Sequence, residues 1–276
     1  MDDSRQAERT ARFAALHAGP KAFVIANAWD AGSARILAAL GFQALATSSG
    51  ASAGTLGRRD GRLGRDEALA QARGIVEATD LPVSADLEKG FGDAPEAVAE
   101  TLRLAAAAGL VGGSIEDASG DATRPLYGIA QATERIAAAV EAVRSLPCAF
   151  VLTARAENFL RGNPDLDDTI RRLQAYEKAG ADVLFAPGLP SLEAIRMVCG
   201  AVTKPVNFMA GIKARSFSVA ELEAAGVRRI SLATSLWRAA MTGLIDAARE
   251  VAESGTFGYL ETTVETRQIN AFFAEP

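Results

Sequence analysis

Three acids stand at or just past the ends of short apolar runs: Asp86 and Glu88 in SADLEK, and Glu116 in GGSIED. Such a run reads as a buried strand, and its last residues reach the surface where the strand stops. Carboxylates gathered there repel one another unless they are protonated or bridged by a cation. A hard divalent ion answers that repulsion. Mg2+ takes oxygen ligands octahedrally and typically keeps several waters, so one direct carboxylate with others acting through water is a usual arrangement. Each acid alone could equally cap the following helix or pair with Arg155 or Lys89; the three together favour a metal site.

Arg155 closes another apolar run, LTAR, and Arg is seldom buried without an anion. Ser48, Ser49 and Gly50 form a small polar turn whose hydroxyls and backbone N–H groups could bind a carboxylate, with Arg155 gripping it bidentately from across the mouth. Asn207, in a later apolar run, joins the candidate substrate-binding set. For a base, Tyr127, Arg124, Glu157 and Asp60 are the candidates within reach of such a rim. His17, the only histidine, falls in an N-terminal helical segment and reads as a surface or packing residue.

Eight short apolar runs alternate with Ala-rich amphipathic segments: 23–27, 44–48, 83–86, 112–116, 150–155, 183–186, 206–210 and 229–233. Pro20, Pro82, Pro147 and Pro205 precede the odd-numbered runs, and Gly41, Gly109, Gly180 and Gly226 the even ones. Both residue types stop helices. Eight strand–helix units with a preceding helix over about 4–16 predict a single (β/α)8 TIM-type barrel, about 20–253, with a C-terminal arm over 254–276. The alternative doubly wound sheet lacks support, since FVIANAWDAGS stands where a GxGxxG would follow the first strand. In such a barrel, functional groups sit where strands end, which is where the acids, Arg155 and the Ser-Ser-Gly turn fall.

With 29 basic against 34 acidic residues, the net charge of −5 provides no footprint for nucleic acid. Cys148 and Cys199 show no metal or redox spacing, and no segment reads as a leader or membrane span, so a cytoplasmic location is expected. Phe257, Tyr259, Phe272 and Phe273 in the arm need burial, which a partner subunit could supply.

Four ordered motifs resemble those of the isocitrate lyase and phosphoenolpyruvate mutase superfamily: ATSSGASAGTLGRRD at 46–60, SADLEKGFGD at 84–93, GGSIED at 112–117 and LTARAENF at 152–159. The resemblance implies a (β/α)8 barrel, a Mg2+ site that Mn2+ could also fill, and small 2-oxo or 2-hydroxy carboxylates processed through a metal-bound enolate. It implies Asp86 as direct metal ligand, Glu88 and Glu116 as water-mediated ones, Asp60 as a loop acid near the metal, and Ser48, Ser49, Gly50 and Arg155 as carboxylate binders. A homodimer or homotetramer that exchanges terminal helices is implied as well.

The departures narrow the chemistry. The isocitrate and methylisocitrate lyases carry a Cys acid in the loop after strand four, and here ASGDATRPLY at 118–127 holds no Cys, His or Lys. Relatives that handle phosphonates use a Lys in that loop and a His after strand six, where Ala186 and Pro187 stand. The expected function is therefore a Mg2+-dependent carbon–carbon lyase or decarboxylase. A phosphorus–carbon bond enzyme of the phosphonopyruvate type and a non-catalytic 2-oxo acid binder are the alternatives. The 118–127 loop is expected to close over substrate.

Overall fold

The computed structural model describes residues 3–213 and 217–273. Eight strands follow one another around a closed barrel, β1 Phe23–Asn27, β2 Leu45–Ala46, β3 Val83–Asp86, β4 Gly112–Glu116, β5 Val151–Arg155, β6 Val183–Phe185, β7 Val206–Met209 and β8 Arg229–Ser231. Every neighbouring pair is parallel, and β8 closes on β1 with Phe23 opposite Arg229. The helices are α1 Asp3–Ala18, α2 Ala31–Ala39, α3 Ser49–Thr55, α4 Arg65–Glu77, α5 Pro95–Ala107, α6 Ile129–Arg144, α7 Leu166–Ala179, α8 Leu192–Ala201, α9 Val219–Ala224, α10 Ser235–Ser254 and α11 Thr266–Ala271.

Each strand falls inside its expected run, and the differences are at the ends. The β2 run stops two residues early because Ser48 becomes the N-cap of α3, so the Ser-Ser-Gly segment is the start of a helix rather than a turn. At the end of β8, Ala233 takes φ 49° and turns the chain out of the sheet. The helix stops work as expected: Gly41, Gly109, Gly180 and Gly226 have φ of 89°, 88°, 105° and 100°, a conformation that only glycine adopts freely. Apolar residues of the sheet's outer face and of the helices meet in one continuous core, including Leu102, Ile115, Leu152, Leu173 and Ile195.

Inside the barrel, alternate residues face the axis, and the strand register stacks them in levels. At the top are Asn27, Asp86, Arg155 and Met209. Ala46, Ser114, Phe185 and Ser231 come next, then Ile25, Ser84, Thr153 and Asn207, and below them Ala44, Gly112, Val183 and Arg229. The far end is closed by α1. His17 packs there edge-on to Phe13 and Phe23, at 4.6 and 5.0 Å between ring centroids, which settles its role as a packing residue.

No described helix is long and apolar enough to cross a membrane. α10 runs 20 residues without one buried side chain, leaving Leu244 60% and Ile245 48% exposed. At its start, Trp237 lies so close to Gly54 of α3 that a Cβ there would come within 2.4 Å of the ring. In the arm, Phe257 is exposed, whereas Tyr259, Phe272 and Phe273 are half-buried, and the Phe273 carbonyl accepts from Arg35 of α2 at 3.3 Å.

Candidate active site

The C-terminal ends of the strands surround a cavity of about 350 Å³. Ser48, Ser49, Gly50, Asp60, Asp86, Arg155 and Asn207 all line it. Asp86 leaves β3 with its backbone N–H bonded to Thr47 Oγ1 at 3.0 Å, and its carboxylate accepts from the N–H groups of Ser49 at 3.2 Å and Glu88 at 3.3 Å. Its side chain is fixed by backbone on two sides. Gly50 lets the mouth close up, since a Cβ there would lie 3.0 Å from Thr234 and 3.2 Å from the Asp60 carboxyl.

Arg155 stands at the centre of the acids. Its Nε donates to Glu157 Oε1 at 2.5 Å, and Nη1 lies 3.2 Å from Glu116 Oε2 and 3.6 Å from Asp86 Oδ1. The Phe185 ring covers the guanidinium at 5.2 Å. Arg161 reaches the same group from the short turn after β5, with Nη2 3.2 Å from Glu116 and Nε 3.0 Å from Glu157. Glu157 is itself held from behind, because its N–H donates to Asp117, whose other oxygen accepts from Arg172 and Tyr176. Pairing with Arg155, one alternative open from sequence, is thus how Asp86 and Glu116 stand here. Lys89 pairs elsewhere, with Asp93.

Among the described residues, the ion pairs that Asp60, Asp86, Glu88, Glu116 and Glu157 make are to Arg155 and Arg161 alone, five carboxylates against two guanidinium groups, while Arg229 and Arg238 line the cavity without pairing to them. Burial pushes the Glu88 carboxyl up to about 7, with Asp86 and Asp60 adding to the shift. Burial also pushes Glu116 up, against the pull of Arg155. Glu88 occupies the left-handed region at φ 49°, a conformation that costs a non-glycine residue about 1 kcal/mol or more and recurs at functional sites. Among the described residues no three acids, histidines or cysteines stand in a ready ligating cluster. The donor set is all oxygen, under-neutralised, and led by a fixed Asp86 beside an open cavity. It fits a hard divalent cation.

Other expected residues fall differently. Tyr127 does not line this cavity: its hydroxyl donates to Asp93 at 2.6 Å and Arg135 stacks on its ring at 4.5 Å, so it serves the scaffold. The 118–127 loop is folded on itself through the Ala118–Leu126 bridge, is tied down by Lys89 donating to the Ser119 carbonyl, and borders a neighbouring hollow beside Glu88 and Glu116. Asn207 lies at the cavity floor, donating to Ser231 and accepting from Arg229. Arg161 and Arg229 belong to the site although sequence reasoning passed over them. Arg229 was legible only as a charge inside the apolar run VRRISLA.

The family model described as phosphoenolpyruvate phosphomutase matches residues 13–252. The chain is similar to a lyase/mutase candidate from Burkholderia cenocepacia J2315 of known crystal structure, with 52% identity, 99% of this chain and 98% of that one covered, and a TM-score of 0.97. It is 30% identical to the 2,3-dimethylmalate lyase of Eubacterium barkeri over 91% of this chain and 89% of that protein. It is 33% identical to the oxaloacetate decarboxylase of Bradyrhizobium diazoefficiens over 72% of this chain and 69% of that protein.

Proposed function

Because this chain belongs to the phosphoenolpyruvate phosphomutase family, within the isocitrate lyase/PEP mutase superfamily, we propose that it is a Mg2+-dependent carbon–carbon lyase or decarboxylase acting on a small 2-oxo or 2-hydroxy carboxylate. The observation that carries this reading is the surplus of carboxylates around Arg155 at the mouth of the cavity. Asp86 would hold the cation directly, with Glu88 and Glu116 reaching it through water. A bound Mg2+, or Mn2+ in its place, would supply Lewis-acid polarisation of the substrate's 2-oxygen.

The chain's own groups do the rest. Arg155, whose Nη1 lies on the cavity side between Asp86 and Glu116, binds the substrate carboxylate, while Ser48, Ser49 and Gly50 bind it from the opposite wall. Asp60 lies at the mouth without an ion pair among the described residues, and it is the group positioned to hold a proton there. Where a carbon–carbon bond breaks, the electron pair left on carbon becomes an enolate, which positive charge beside it would stabilise.

The test is incubation with Mg2+ and a panel of 2-oxo and 2-hydroxy acids, with and without EDTA, following pyruvate, glyoxylate and phosphate. Metal-dependent release of a 2-oxo acid is expected. Phosphate from a phosphono acid would favour phosphorus–carbon chemistry instead, and substrate binding with no turnover of any panel member would leave a binder.

A further inference from the structure

The barrel interior below the rim is unusually polar. Bulky branched residues commonly fill this space, yet Ser84, Thr153 and Asn207 share one level here, with Ser114 and Ser231 above it. One level further down, Gly112 and Ala44 leave the axis open to the side chain of Arg229. The cavity that Asp86 and Arg155 line at its mouth extends to Ser84, Ser114 and Arg229 at its floor.

Arg229 is 5% exposed, and no carboxylate among the described residues pairs with it. Its Nε donates to Asn207 Oδ1 at 2.8 Å, its buried Nη1 has no hydrogen-bond partner, and the side chain lines the cavity above while its charge also reaches His17 below. A guanidinium left this way bears a desolvation cost that an anion would offset. Burial alone pushes its pKa down to about 9, as follows from the lack of any facing acid. Arg229 lies three levels below Asp86, roughly 3 Å per level, and lines the same cavity, which puts its side chain within the reach of a four-carbon diacid held at the rim.

We propose that Arg229 is a specificity-determining residue that binds the distal carboxylate of a four-carbon 2-hydroxy dicarboxylate whose other end is held at the Asp86–Arg155 rim. This rests on the function proposed above and narrows it. A cation clasping a carboxylate opposes its loss as carbon dioxide, so the distal carboxylate stays in the product. The same cation favours cleavage between C2 and C3. There the 2-hydroxyl proton passes to Asp60, C2 becomes a carbonyl, and the electron pair of the broken bond moves to C3 and into the distal carboxylate. A proton from water then returns to C3. Charge grows on the carboxylate beside Arg229 as the bond breaks, so the contact strengthens toward the transition state.

The test is calorimetry with Mg2+ and three probes: oxalate, which occupies the rim alone; 2-hydroxybutyrate, which lacks the distal carboxylate; and malate, which carries it. Wild type should bind malate more tightly than 2-hydroxybutyrate. Arg229→Gln, which keeps a donor for Asn207, should weaken malate by at least about tenfold while oxalate and 2-hydroxybutyrate hold their affinities. Retained oxalate binding also reports that the variant is folded. If Arg229→Gln fails to fold, the wild-type comparison decides alone, and malate binding no tighter than 2-hydroxybutyrate overturns the proposal. An equal loss for malate and 2-hydroxybutyrate in the variant does the same. No Mg2+-dependent oxalate binding by wild type overturns the function proposed above, and this inference with it.

Discussion

Glu157 Oε1 lies 2.5 Å from Arg155 Nε, and that contact decides which way the guanidinium faces. With Nε tied to a carboxylate that is wholly buried, only the outer edge, Nη1 included, is left to address the rim. Glu157 was a candidate base from sequence, and its burial and engagement make it an orienting group instead.

Replacing Glu157 with Gln keeps the shape and removes the charge that aligns Arg155. A hydrogen bond to a charged group contributes about 1.5–3 kcal/mol, so kcat/KM should fall roughly tenfold to a hundredfold, mostly through KM. Steady-state kinetics at saturating Mg2+ check this. An unchanged KM would mean that the stack on Phe185 alone fixes Arg155.

Asp86→Ala removes the one carboxylate positioned as a direct ligand and should abolish metal-dependent turnover. The fold should persist, because the side chain faces the cavity and, besides its ion pair with Arg155, which keeps Glu116 and Glu157, bonds only to the N–H groups of Ser49 and Glu88. Circular dichroism with Mg2+ titration separates the two effects. Turnover at the wild-type level would move the metal away from β3.

Stability should depend on His17 in acid. Burial, helped by the charge of Arg229, pushes its pKa down to about 3, while in the unfolded chain it titrates near 6.5. Above pH 6.5 both states are neutral at this residue and stability is full. As pH falls from 6.5 toward 3, the unfolded chain takes up a proton that the folded chain refuses, and stability declines, by about 2 kcal/mol at pH 5. Urea unfolding at pH 7 and pH 5 should show this slope in wild type and its loss in His17→Gln. Identical slopes in the two proteins would place the acid sensitivity elsewhere.

Truncation after Ser254 should lower both thermal stability and oligomer size, as expected if the uncovered face of α10 and the arm meet a second subunit in a homodimer or homotetramer. Light scattering and a melting curve measure the two quantities. A truncated chain of unchanged size and unchanged melting temperature would leave the arm without that role.

The fold was legible because its punctuation is local: a Pro or a Gly stands just before each strand, between it and the preceding helix, and that needs no long-range information. The rim was legible for a related reason, since Asp86, Glu116 and Arg155 each close an apolar run. The floor was not. Whether Arg229 faces the axis depends on inward alternation and on the register of β8 against β1 and β7, which are properties of the closed sheet. Tyr127 misled because its place in the loop after β4 pointed to the rim, whereas its ring packs back against Arg135.

The seam between β1 and β8 has a consequence for the nascent chain. Asn27 Oδ1 accepts from the backbone N–H of Leu232, 205 residues later, so β1 emerges from the ribosome long before its closing neighbour exists. Until then FVIAN presents a bare, uncharged edge of the sort that recruits stray strands. α1 comes out still earlier, and by stacking Phe13 and His17 on Phe23 it can shield the foot of that strand during the wait. The strand that seals the edge is also the one that carries Arg229, so closing the barrel brings positive charge to the centre of the molecule.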